Sequence, residues 1–175
     1  MTRAAALGLV GLLAGCALAP EPRQPLPALQ GVPEAFEMSG RIALRQGDRS
    51  EIARLRWTHR PASDLWVISS PLGSEVARLE SGPRGARLER GGAEPEEAAS
   101  FAELSERLIG IPLDPVLLVG WLHNAGASSG GGWQVSVEES QRAGSVDIAR
   151  RLSAVRGDVT VRLAVDEYRL VEPPR

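Results

Sequence analysis

From Phe36 to Arg45 the chain alternates, with Phe36, Met38, Gly40, Ile42 and Leu44 on one side and Glu37, Ser39, Arg41, Ala43 and Arg45 on the other. That is the period of a strand with one buried face. Gln46-Gly47-Asp48 supplies turn residues. Ser50 to His59 then sets Ala53, Leu55 and Trp57 against Arg54, Arg56 and Thr58, so the two segments are predicted to pair as a hairpin. Leu65-Trp66-Val67-Ile68 is apolar on both faces, which predicts a strand covered on two sides or lining a cavity. Val76–Glu80 and Ala86–Arg90 follow as short strands around Ser81-Gly82-Pro83. The first half of the chain reads as an antiparallel meander.

The period then changes. Glu94-Pro95-Glu96-Glu97 combines acids with an early proline, both suited to a helix N-terminus. Phe101, Leu104, Leu108 and Ile109 recur at helical spacing until Gly110 and Pro112 stop the run. A second helix opens at Asp114-Pro115 and carries Val116-Leu117-Leu118-Val119-Gly120-Trp121-Leu122. Being apolar all round it is expected to be buried, and it is too short to cross a membrane. Asn124 to Gly132 is a Gly/Ser loop. Trp133, Val135 and Val137 resume the strand pattern, Val146 and Ile148 continue it, and Val159, Val161, Leu163 and Val165 give the clearest strand of all. The fold class is therefore mainly β with two helices (α+β), a curved antiparallel sheet with helices inside it or across its open side.

One turn, Pro71-Leu72-Gly73, puts a large apolar side chain at the tip of a forced loop. Leu72 is either tucked back or exposed, and the pattern alone leaves both open.

The N-terminus has a different organisation. Arg3 precedes an uncharged run from Ala4 to Leu13, and the run closes on Leu13-Ala14-Gly15-Cys16, which holds the only cysteine. This is the layout of a cleaved secretory signal, and the small pair before Cys16 resembles the lipobox of bacterial lipoproteins. The resemblance implies cleavage before Cys16, a diacylglyceryl group on its thiol and an acyl group on its new amine, with no other cofactor. Ala17, rather than an aspartate, follows the cysteine, which in that family favours the outer membrane. From Ala17 to Pro33 come five prolines, a composition expected of an extended tether. The expected organisation is thus a signal at 1–15, a lipidated cysteine and tether at 16–34, and a domain at 35–175.

Loss of Arg3 leaves 19 basic residues against 22 acidic ones, a net charge of about −3, which argues against a nucleic-acid partner. With Cys16 lipidated no internal disulfide is possible. Gly126-Ala127-Ser128-Ser129-Gly130 fits G-x-S-x-G but lacks the preceding strand and following helix of a nucleophile elbow. His59 and His123, the only histidines, are far apart in the chain and have no cysteine partner for a metal. The carboxylate pairs, such as Glu138-Glu139, fall at expected solvent-facing positions. No catalytic or metal-binding constellation is read from the sequence.

Several pieces between Phe36 and Leu170 together resemble the LolB family of outer-membrane lipoprotein receptors. They are Phe36 with Gly40-Arg41, Trp57, Pro71-Leu72-Gly73, Gly110-Ile111-Pro112-Leu113, Trp121-Leu122, Trp133 and Arg156-Gly157-Asp158. The resemblance implies an incomplete antiparallel β-barrel closed by helices around an apolar acyl-chain cavity. It implies a monomer, anchored through Cys16, that accepts lipoproteins from the periplasmic carrier LolA and releases them into the inner leaflet of the outer membrane. It further implies that Pro71, Leu72 and Gly73 form a membrane-insertion loop with Leu72 exposed. Trp57, Trp66, Leu117, Trp121 and Trp133 are candidates for the cavity wall or for ordinary core packing. The short stretch between Leu122 and Trp133 departs from the family, which has room there for a further strand. Competing readings are a lipid-anchored carrier of another lipid or glycolipid, and a structural envelope lipoprotein acting through a sheet edge.

Overall fold

A computed structural model describes residues 32–123 and 130–171. The signal, Cys16, nearly all of the tether and Ser128 lie outside the described residues. The strands are β1 (Phe36–Gln46), β2 (Arg49–Arg60), β3 (Ser63–Ser69), β4 (Glu75–Gly82), β5 (Gly85–Arg90), β6 (Glu96–Ala98), β7 (Gln134–Ala143), β8 (Val146–Arg156) and β9 (Val159–Leu170). They form one nine-stranded antiparallel sheet in the order β6-β5-β4-β3-β2-β1-β9-β8-β7. Two helices, α1 (Phe101–Ile109) and α2 (Pro115–His123), lie between β6 and β7 in the chain. α1 packs on β4, β5 and β6, while α2 packs on β8. β6 and β7 are not hydrogen-bonded to each other, so the sheet is an open, incomplete barrel with its helices on one face.

Alternation dictates that face. Phe36, Met38, Ile42, Leu55, Trp57, Trp66, Ile68, Leu79, Leu88, Leu152, Val161, Leu163 and Val165 are all buried, and every one sits at an inward position of its strand. Among the described residues the buried hydrophobic ones run from Ala35 to Val165, so a chain starting at Ala17, without the anchor, keeps all of them. β1 meets β9 through a bulge: Ser39 faces Glu167 and Gly40 faces Val165, so Asp166 is the extra residue. The backbones approach so closely there that a Cβ on Gly40 would lie 2.2 Å from the carbonyl oxygen of Ala164.

The segment Glu94–Glu97, expected as a helix N-terminus, instead leads into the edge strand β6, which holds Glu96 and Glu97. Arg87 pairs with Glu97, and Arg90 with Glu96, which stitches the acidic segment to β5. α1 starts later, where the Ser100 hydroxyl accepts the Glu103 N–H at 3.2 Å. At its far end Gly110 adopts φ 75° and its N–H reaches the carbonyl of Glu106. The return through Ile111 and Pro112 is pinned by buried Ser105, whose Oγ accepts the Leu113 N–H at 2.8 Å.

The expected all-round burial of α2 is also corrected. Val116 is 77% exposed and Leu117 half-buried, while Leu118, Val119, Trp121, Leu122 and His123 face inward. No strand lies between α2 and β7 among the described residues, only a short 3₁₀ turn at Gly130–Gly132. No helix among them is long and apolar enough to cross a membrane.

The Phe36 end of the sheet is filled by aromatic rings. Phe36 stacks on Tyr168 at 5.2 Å and meets Trp57, His59 and His123 within 5.2 Å. Asp64 accepts the Trp57 indole N–H at 2.7 Å and contacts His59 Nδ1 at 2.8 Å. Buried His123 donates from Nδ1 to the Val119 carbonyl at 2.9 Å and accepts the Tyr168 hydroxyl at Nε2, 2.8 Å away. The neutral ring satisfies both nitrogens, and burial, which disfavours the charged form, lowers its pKa from 6.5 to about 4.

A pKa lowered by folding means that the unfolded chain binds the extra proton first. The associated stability is complete above pH 6.5 and is lost as pH falls from there towards 4, by roughly 3 kcal/mol in all. Denaturant titrations at pH 7.5 and pH 5 are expected to show about 2 kcal/mol of this loss, since pH 5 still lies above the folded value of about 4, and His123→Gln should flatten it. An unchanged pH dependence in the variant would exclude His123 as its source.

Candidate functional site

The concave face is not filled evenly. Towards the end opposite Phe36, β1 and β2 extend past the end of β3, since Arg54 faces Ser69 while β2 begins at Arg49. Leu44 and Ala53 therefore lack a complete cover of neighbours. The C-terminal turn of α1 lies across this gap and leaves a cavity of about 410 Å³. Its walls are Ile42 and Leu44 of β1, Ala53 of β2, Trp66 and Ile68 of β3, and Leu108 and Ile109 of α1. Glu51, Ile52, Ser69, Ser70, Pro71 and Val76 form the mouth. The size falls within the range of ordinary ligand pockets, about 300–1,000 Å³, and nearly every wall group is hydrocarbon. Such a site can desolvate an alkyl chain and offers little to a polar ligand.

The mouth adjoins the Pro71-Leu72-Gly73 turn. The Gly73 N–H bonds the Ser70 carbonyl at 2.9 Å, the Ser70 N–H bonds the Ser74 carbonyl at 2.8 Å, and Arg54 Nε donates to the Pro71 carbonyl at 3.2 Å. Gly73 takes φ 96°, a conformation that favours glycine. The loop is thus shaped by its own backbone and by Arg54. Leu72 takes no part in this and is 97% exposed.

The candidate wall residues divide. Trp66 borders the cavity. Trp57, Trp121 and Trp133 do not: each is fully buried in the core, Trp57 edge-on to Phe36 and Trp66, and Trp121 edge-on to Trp133. Arg156, at the end of β8, lies over the Trp133 ring, its Cζ 4.5 Å from the centroid. Leu117 is half-buried against the core on α2 and does not border the cavity either. The walls that sequence reasoning missed are Ile42, Leu44, Ala53, Leu108 and Ile109. Their apolar character at inward positions was visible, but their incomplete cover depends on where α1 ends. Among the described residues no group of three or more His, Cys, Asp or Glu side chains is placed to hold a metal ion.

Residues 34–168 match the family model described as "Outer membrane lipoprotein LolB". The chain is 30% identical over 177 residues to the outer-membrane lipoprotein LolB of Azoarcus sp. (strain BH72), covering 92% of this chain and 91% of that one. It is 31% identical over 183 residues to the protein of that name from Dechloromonas aromatica (strain RCB), covering 91% and 93%. The protein of that name from Chromobacterium violaceum is 30% identical over 175 residues, covering 93% and 96%. Among solved structures, a LolA superfamily protein from Nitrosomonas europaea aligns over 85% of this chain and 89% of its own, with TM-score 0.45 and 9% identity.

Proposed function

The chain belongs to the LolB family of outer-membrane lipoproteins, and from that premise we propose that it accepts lipoproteins from the carrier LolA and inserts them into the inner leaflet of the outer membrane. The observation that carries this reading is the apolar cavity of about 410 Å³ opening beside an exposed leucine. Cys16, diacylated and N-acylated, is the membrane anchor.

Each acyl CH₂ exposed to water costs about 0.8 kcal/mol, on the order of 12 kcal/mol for a sixteen-carbon chain. An acyl chain therefore crosses the periplasm only from one apolar pocket to another. Ile42, Leu44, Ala53, Ile68, Leu108 and Ile109 supply the receiving pocket. Its mouth is bordered by Pro71, so the chain leaves where Leu72 can enter a bilayer. Handover then runs down a gradient of burial, from carrier to receptor to membrane, without nucleotide.

The test is to fill the cavity. Ala53→Trp projects an indole into it from β2, and binding of a fluorescent fatty acid is expected to weaken at least about tenfold with the circular dichroism unchanged. A folded variant that binds the probe like the parent would place the acyl site elsewhere.

A further inference from the structure

The mouth of the cavity is apolar on its outer side as well. Ile52 stands at an outward position of β2, and Val76 is the extra residue of a bulge in β4, between Glu75, which faces Ser69, and Ala77, which faces Ile68. They are 61% and 46% exposed, and both border the mouth together with Pro71. With Leu72 they make an apolar rim on two strands and the loop between them in space. Single exposed apolar side chains need no explanation, whereas a cluster around a cavity mouth does.

Charge completes the picture. Beside the rim, on the outer face of the sheet, lies a shallow groove of about 260 Å³ that includes Gly73 of the same loop together with Arg54 and Arg56. Asp166 also lines this groove, but its carboxylate is held by Arg41 at 3.1 Å. Glu75, next to Val76, is held by Arg78 at 3.2 Å. Among the described residues neither Arg54 nor Arg56 has a carboxylate within ion-pair distance; Glu167, across Ser39 from Arg56 on the same face, accepts the Ser39 hydroxyl at 3.4 Å. Glu51 lies on the opposite face of β2. In a chain of net negative charge, this face carries two guanidinium groups outside any ion pair next to its apolar rim. Apolar side chains flanked by arginines, which bind phosphate through a planar fork of donors, are the composition of a bilayer-surface site.

We propose that this face docks on a phospholipid bilayer containing anionic headgroups, with Arg54 and Arg56 holding headgroup phosphates while Ile52 and Val76 enter the membrane beside Leu72. The proposal rests on the reading that cargo leaves through this mouth, and it adds the lipid class recognised and four residues that do the recognising. Docking in this orientation sets the cavity mouth against the acyl layer.

The test uses the chain from Ala17 onward, without the anchor, and vesicles of phosphatidylcholine with or without phosphatidylglycerol. Flotation is expected to show tighter binding to the anionic vesicles, weakening with salt. Arg56→Gln, which removes no hydrogen bond to the loop, should weaken it about fivefold, and the Arg54→Gln/Arg56→Gln pair about thirtyfold. Arg84→Gln, in the turn between β4 and β5, should change nothing. Ile52→Ser/Val76→Ser should weaken binding to both kinds of vesicle. Equal binding to the two vesicle types, or arginine variants that bind like the parent, would overturn the proposal. So would arginine variants that bind vesicles normally but fail to accept cargo from LolA, since the face would then belong to the carrier. The same preparations are assayed with the fluorescent fatty acid. Arginine-dependent vesicle binding without fatty-acid uptake would sink the receptor reading and leave the docking face standing.

Discussion

Leu72→Glu is expected to leave folding and acyl-chain uptake intact while transfer of bound lipoprotein into vesicles falls about a hundredfold. The side chain is 97% exposed, and the turn beneath it is held by Ser70, Gly73 and Arg54, so the substitution removes no native contact. The effect arises only at the membrane. Burying the leucine in lipid contributes about 1.5 to 3 kcal/mol. A carboxylate in its place reverses the sign, and the difference of about 3 to 4 kcal/mol corresponds to two orders of magnitude or more. The assay loads both proteins with the same lipoprotein, adds vesicles and follows cargo into the floated fraction. Parent and variant discharging at one rate would remove Leu72 from the mechanism.

The second large effect is on stability. Gly40→Ala would place a methyl group 2.2 Å from the Ala164 carbonyl oxygen, well inside contact distance, with backbone on both sides of the clash. Neither strand can yield without breaking the ladder that joins β1 to β9 at the centre of the sheet. A loss of about 3 kcal/mol or more follows, a fall in Tm of about 10 °C for a domain of this size. Gly120→Ala is the matching control, because a Cβ there meets nothing within 4 Å and lies in a helix. It should hold or raise the Tm. If both variants melt with the parent, the bulge is looser than its geometry implies.

Gly40 also shows what kind of information a sequence holds. Alternation around it made β1 plain, and the same period marked β2 and β9, because burying one face of a strand requires it. The crowding that demands a glycine was invisible, since it depends on the extra residue Asp166 more than a hundred positions away. Glu96 and Glu97 read as a helix start by local rules, yet arginines on β5 recruit them into a strand. α2 read as buried from its composition alone, but a helix lying against one sheet has an outer side, and Val116 occupies it. The Pro71-Leu72-Gly73 turn was legible as a loop, with the fate of Leu72 undecided until the family resemblance pointed outward. The cavity was expected, but four of the five proposed wall residues do not border it. Large tryptophans close gaps, whereas the cavity persists where the smaller Leu44 and Ala53 run beyond their neighbours under the end of α1.

The most direct test of the account is transfer of a radiolabelled lipoprotein from purified LolA to the chain from Ala17 onward, without ATP. The label is expected to move nearly completely from the carrier to this protein, with Ala53→Trp blocking the move and Leu72→Glu permitting it. Label that stays on an active carrier in the presence of the folded domain would contradict the receptor function.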